Sequence, residues 1–120
     1  MSYDTNNIFA RILRGEIPCN KVYEDAHVLA FKDIRPQAKV HALVIPKGAY
    51  VSAQDFGEKA SDAEIAAFHR AVAKVARDLG VADSGYRLIA NTGGHGHQEV
   101  PHYHVHILGG QPIGKMVNLP

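Results

Sequence analysis

The sequence predicts an α+β fold, a five-stranded antiparallel sheet carrying one long and one short helix, on three observations. Strand-like segments are mostly joined by links too short for crossover helices. Residues 62–79 carry the apolar spacing of a long amphipathic helix. Residues 102–108 alternate between two side-chain classes with the period of a strand.

Taken in order, residues 1–6 are polar and expected to be loose. Ile8, Phe9, Ile12 and Leu13 then recur at helical spacing, with Thr5 or Asn6 as cap and Gly15 and Pro18 as the stop. Residues 21–33 read as a hairpin, with Val22 and Tyr23 in its first strand and residues 28–31 in its second. Glu24, Asp25, Ala26 and His27 separate them. After Pro36 and Gln37, residues 40–45 form a third strand, closed by Pro46, Lys47 and Gly48. It is apolar on both faces except at His41, so both faces should be covered. A loop containing Gln54, Asp55 and Gly57 follows.

Ser61 and Glu64 make a capping box at the start of the long helix. Ile65, Phe68, Val72, Val75, Ala76 and Leu79 are its expected buried stripe, His69 a surface residue and Gly80 its C-terminal stop. Residues 86–90 form a fourth strand, with Leu88 and Ile89 apolar and Arg87 exposed. Residues 91–98 are a glycine-rich loop, and residues 102–108 a fifth strand ended by Gly109 and Gly110. In the tail, residues 111–120, Ile113, Met116 and Val117 should pack on something.

At 120 residues the chain is read as one domain, 1–120. Its 46% hydrophobic and 21% charged residues are globular values, which exclude general disorder. Thirteen basic residues against twelve acidic ones leave a formal charge of +1, so nucleic acid is not an expected partner. Cys19 is the lone cysteine, which excludes an internal disulfide and a CxxC zinc knuckle. No apolar run is long enough to cross a bilayer and no signal-peptide pattern is visible. The expectation is a cytoplasmic protein with no membrane partner. The anomaly is histidine: of eight, five lie between positions 95 and 106.

On a strand, His102, His104 and His106 share one face, while Tyr103, Val105 and Ile107 take the other. Three adjacent charged imidazoles would repel, so at least one should be neutral near pH 7. Three readings compete: a solvated polar face, a metal site with His41 as a further ligand, and nucleophilic catalysis at phosphorus. The last needs an anion-binding loop beside it. Gly93, Gly94 and Gly96 supply one, able to bring backbone N–H groups close to an oxyanion, and Asn91 adds a side-chain amide.

His102-Tyr103-His104-Val105-His106-Ile107-Leu108 resembles the defining His-φ-His-φ-His-φ-φ motif of the histidine triad (HIT) family, φ being hydrophobic. Separate segments agree: Asn7-Ile8-Phe9-Ala10-Arg11-Ile12 with Glu16-Ile17-Pro18, and Phe31-Lys32-Asp33-Ile34-Arg35-Pro36-Gln37-Ala38 with His41 and Val44-Ile45-Pro46-Lys47. Together they cover nearly the whole chain. They resemble the histidine triad nucleotide-binding branch, of the purine nucleoside phosphoramidase type. His106 in place of glutamine argues against the nucleotidyltransferase branch.

The resemblance implies a HIT-like fold, a homodimer with one continuous sheet, and a purine nucleotide as substrate or product. It implies that His104 attacks the α-phosphorus and forms a nucleotidyl-histidine. His106 would contact phosphate oxygens or the leaving group, while His102 and His41 would orient and tune the nucleophile. Asp33 would bind the ribose hydroxyls with Ile34 beside it, and Ile8, Phe9, Ile12, Phe31 and Leu43 would sandwich the base. Asn91, His97, Gln98, Glu99 and Val100 would line the phosphate and leaving-group side. In some relatives serine and glycine replace Glu99 and His97; here Glu99 could favour a cationic amine leaving group. Oriented N–H donors and a protonated histidine can stabilise the reacting oxygens, so no cofactor or catalytic metal is called for. The N-terminal CxxC pair of some relatives is absent, so no structural zinc is expected. The implied reaction is hydrolysis of a purine nucleoside 5′-phosphoramidate, or of an aminoacyl-adenylate. Dinucleoside polyphosphate hydrolysis, or a nucleotide-binding or protein-interaction module with incidental catalysis, are the alternatives.

Overall fold

β1 (Lys21–Glu24) and β2 (Val28–Lys32) form the hairpin that opens the sheet, and Asp25 ties its turn. The Asp25 carboxylate accepts the backbone N–H groups of His27 and Val28 at 2.8 and 2.9 Å, the local bonding that makes aspartate a turn former. The computed structural model describes residues 2–120; Met1, part of the expected loose N-terminus, lies outside the described residues.

β3 (Val40–Pro46) pairs with β2, β5 (Val105–Gly109) with β3, and β4 (Tyr86–Ile89) with β5, all antiparallel. The spatial order is β1-β2-β3-β5-β4. Among the described residues this is the expected five-stranded antiparallel sheet. Three helices accompany it: α1 (Ile8–Leu13), α2 (Ala53–Lys59) and α3 (Asp62–Asp78).

Side-chain alternation divides the sheet into two working faces. Val28, Ala30, Ala42, Val44, Val105 and Ile107 point to α3, where they meet Phe68, Ala71, Val72, Val75 and Ala76 in the larger core. Leu29, Phe31, Leu43 and Ile45 point the other way and pack with Phe9 of α1. Both faces of β3 are covered, as its composition required. Ser61 and Glu64 form the capping box that starts α3, and Gly80 follows its end at φ +77°, a conformation that glycine adopts without strain.

Several expectations are corrected. The loop at Gln54, Asp55 and Gly57 is α2, capped by Ser52, whose side chain accepts the Asp55 N–H, and anchored by buried Phe56. Asn7, not Thr5 or Asn6, caps α1. Ile65, in the first turn of α3, is 38% exposed, and Leu79 is half-buried. Arg87 and Leu88 exchange roles: Leu88 is exposed, whereas Arg87 is half-buried and donates to the Gly114 carbonyl. β5 begins at Val105, because the Tyr103 N–H leaves the ladder for the Tyr50 carbonyl. The tail packs only in its first part: Ile113 is half-buried and Gln111 and Gly114 accept from Lys39 and Arg87, whereas Met116 and Val117, expected to pack, are exposed with Leu119. Near the N-terminus, residues 3–7 are fastened, with Asp4 accepting from Asn6 and Asn7 and the Thr5 carbonyl accepting from Arg14.

Candidate functional site

The site is assembled on the sheet face opposite α3. Register places Phe31, Leu43, His106 and Ile89 in one row across β2, β3, β5 and β4. α1 lies over one side of this row and residues 91–100 over another, enclosing a cavity of about 490 Å³. α1 contributes Ile8, Phe9 and Ile12 to its wall, and the sheet contributes Phe31 and Leu43. Asp33 and Ile34 line it from the link after β2. Asn91, His97, Glu99, Val100, His104 and His106 complete the opposite side.

Three residues expected at the site stand behind its wall: His41, His102 and Gln98 do not line the cavity. His41 and His102 are buried beneath it. Gln98 is turned inward because the loop needs its amide. Its Oε1 accepts the Gly93 N–H, and its Nε2 donates to the carbonyls of Val51 and Val100 at 2.6 and 3.0 Å. The loop is tight: a Cβ at Gly96 would lie 2.5 Å from the Thr92 carbonyl oxygen. His97 sits at φ +58°, a left-handed conformation uncommon for a side-chain-bearing residue. Its ring faces Glu99 at 3.2 Å.

Hydrogen bonds determine where each buried histidine carries its proton. His104 Nδ1 lies 2.7 Å from the His102 carbonyl oxygen, so Nδ1 bears the hydrogen and Nε2 keeps its lone pair. His102 Nε2 lies 2.8 Å from the Pro46 carbonyl oxygen and therefore donates to it, leaving Nδ1 to accept from the Tyr3 hydroxyl. The Gln37 N–H donates to His41 Nδ1 at 3.1 Å. His41 thus donates from Nε2 to His106 Nδ1 at 2.9 Å, and neutral His106 holds its hydrogen on Nε2. Two adjacent histidines therefore offer complementary chemistry: a lone pair at His104 and a donor at His106, their ring centroids 5.1 Å apart.

Burial favours the neutral form of His102, His104 and His106. It lowers the pKa of His104 and lowers those of His102 and His106 to about 4. For His106, the neighbouring His104 and His41 add to the effect. Asp33 and Glu99 act in the opposite direction on both His104 and His106.

Asp33, His41 and His106 present ligand atoms within 4.8 Å of one another, the arrangement a divalent metal could use. The hydrogen bonds oppose it. His41 Nε2 carries a proton as long as Nδ1 accepts from Gln37, so ligation would require breaking that bond.

Sequence reasoning missed several cavity residues: Ile17, Pro18, Cys19, Lys32, Arg35 and Gln37. One signal was available. Asp33 two residues before Arg35 is an Asx-turn pattern, and its carboxylate accepts the Arg35 N–H at 2.8 Å. For Gln37 the contribution is a backbone N–H, which residue type does not reveal.

Residues 14–113 match the model of the HIT domain family. The chain is 58% identical to a 13.2 kDa HIT-like protein of Azospirillum brasilense over 97% of its length and 95% of that protein's. It is 46% identical to the purine nucleoside phosphoramidase of Escherichia coli K12 over 92% of both chains. A histidine triad protein from Clostridium difficile superposes with a TM-score of 0.83 at 40% identity, covering 97% of this chain and all (100%) of that one. A HIT family hydrolase from Clostridium thermocellum gives 0.85 at 43% identity, covering 93% and 97%. The chain belongs to the HIT domain family.

Proposed function

From that membership, we propose that the protein hydrolyses purine nucleoside 5′-phosphoramidates, or aminoacyl-adenylates, through a nucleotidyl-histidine on His104. One observation carries the reading. The His104 ring is anchored through Nδ1, so a neutral Nε2 lone pair is presented to a cavity lined on its other side by Phe9, Phe31 and Leu43. That apolar portion suits a purine. Asp33 suits a ribose diol, since a carboxylate accepts two hydrogen bonds. The similarity to a purine nucleoside phosphoramidase supports the same class of substrate.

Substrate phosphate brings negative charge beside His106 and raises that ring's affinity for a proton from solvent, which Nδ1 takes up as the His41 Nε2–H turns from His106 to the Asp33 carboxylate, 3.5 Å away. His104 Nε2 forms a bond to phosphorus while the P–N bond breaks, its electron pair leaving with the amine. Protonated His106 gives the departing nitrogen its proton. Water then attacks phosphorus and transfers a proton to His106. The bond from phosphorus to His104 breaks, releasing the nucleoside monophosphate and a neutral His104. The His102 carbonyl receives the Nδ1–H throughout and stabilises the charge that develops on the substituted ring.

The test is AMP release from adenosine 5′-phosphoramidate in EDTA, with wild type and His104→Ala side by side. Wild type is expected to turn over. The variant should fall by about 10³-fold or more while retaining its fold and AMP binding. Comparable rates in both proteins would remove His104 as nucleophile.

The same reading includes a homodimer. β4 is an edge strand whose Tyr86 and Leu88 are exposed, and pairing it with a second copy would extend the sheet. Light scattering should give twice the chain mass; a monomer across the micromolar range would remove the dimer.

A further inference from the structure

Tyr3 has no role in the chemistry described above, yet it touches the centre of it. Its hydroxyl bonds His102 Nδ1, and the two rings meet edge to face with centroids 5.6 Å apart. His102 is wholly buried, with 0% exposure. Its second nitrogen is committed to the Pro46 carbonyl, and its own carbonyl receives the His104 Nδ1–H. Phe9 closes the arrangement, its ring edge-on to His102 at 6.3 Å and to His104 at 5.0 Å.

This geometry leaves His102 little alternative. Without the hydroxyl, Nδ1 is a buried acceptor with no donor. Moving the hydrogen to Nδ1 does not repair the loss, because a bare Nε2 would then face the Pro46 oxygen at 2.8 Å, lone pair against lone pair. The ring would have to turn, and the carbonyl that anchors His104 belongs to the same residue. The N-terminal segment is built to prevent this: Asn7 caps α1, donates to the Asp4 carbonyl, and holds the turn that delivers Tyr3.

We propose that Tyr3 is a positioning residue for the reaction: its hydroxyl holds His102 as the Nε2–H tautomer and thereby keeps His104 Nε2 aimed at the substrate phosphorus. The second half of this statement rests on the function proposed above. Tyr3→Phe isolates the hydroxyl, because the ring and its packing on His102 are retained.

The experiment compares the full-length wild type with Tyr3→Phe by ¹⁵N imidazole NMR, thermal melting and steady-state turnover of adenosine 5′-phosphoramidate. In wild type, His102 should show hydrogen on Nε2 and a hydrogen-bonded Nδ1. In Tyr3→Phe, the His102 and His104 imidazole signals should shift. Turnover number should fall about 10-fold, with KM within about two-fold, the effect of one lost buried hydrogen bond. An Nδ1–H form of His102 in the wild type would overturn the proposal without reference to any variant. So would unchanged imidazole signals in Tyr3→Phe, an unchanged turnover number, or a loss matched by a loss of folded protein. A wild type that turns nothing over would defeat the proposed function instead, and the two imidazole spectra alone would then decide the role of Tyr3.

Discussion

His104 and His106 sit two residues apart and differ in the atom each turns to the cavity. The difference comes from their neighbours: a backbone carbonyl takes the Nδ1–H of one, and a donor from His41 fills Nδ1 of the other. A pH dependence follows. In the proposed mechanism attack needs an unprotonated Nε2, and burial lowers the His104 pKa from its ordinary 6.5. The acidic limb of kcat/KM, which reports the free enzyme, should therefore lie below pH 6.5, and activity should fall as pH descends through it. A limb at or above 6.5 would mean that the ring is solvated in solution, and that the dry arrangement around Phe9 does not persist. The motif itself was legible because histidine has no special merit on a solvated face, and three at alternate positions follow a glycine-rich loop. Their tautomers were not legible, because Tyr3, Gln37 and the Pro46 carbonyl are remote in sequence or act through the backbone.

β5 shows how one element serves two purposes. His106 faces the cavity, while Ile107, fully buried, faces α3. Ile107→Val should cost about 1 kcal/mol of stability, the usual consequence of removing one buried methylene. It should leave kcat and KM unchanged, because the lost volume lies on the opposite face from the chemistry. Urea unfolding and steady-state kinetics on the same preparation check this, and a rate loss beyond about three-fold would show the two faces to be coupled. Legibility also varied by element. α3 was plain from its capping box and stripe. α2 was hidden because Gln54, Asp55 and Gly57 suggest a turn, although Ser52 with Asp55 three residues on is a cap signal and Phe56 needed burial. In β4, Leu88 and Ile89 were read as apolar and Arg87 as exposed, but the edge position leaves Leu88 outside and half-buries Arg87.

For the molecule as a whole, the sheet separates the core that α3 closes from the face that carries the site, and buried polar groups are concentrated on the second. Asn7, His41, His102 and His104 are all buried there or at its margin, and among the described residues no buried side-chain nitrogen or oxygen lacks a partner. Burial of His102 in its neutral form links stability to pH. Burial lowers the His102 pKa in the folded protein to about 4 from the ordinary 6.5. The unfolded chain therefore binds the proton first as pH falls, so the stability that His102 contributes is complete above about pH 6.5 and is lost progressively toward pH 4. The loss from this one ring is on the order of 3 kcal/mol, a large part of the margin of a small domain. Urea midpoints should therefore drop between pH 7 and pH 4. The drop should be smaller in His102→Gln, which retains a hydrogen-bonding side chain but cannot take up a proton. Equal slopes in the two proteins would place the acid sensitivity elsewhere. The buried imidazoles of the proposed active site would then not be the groups that limit its tolerance of acid.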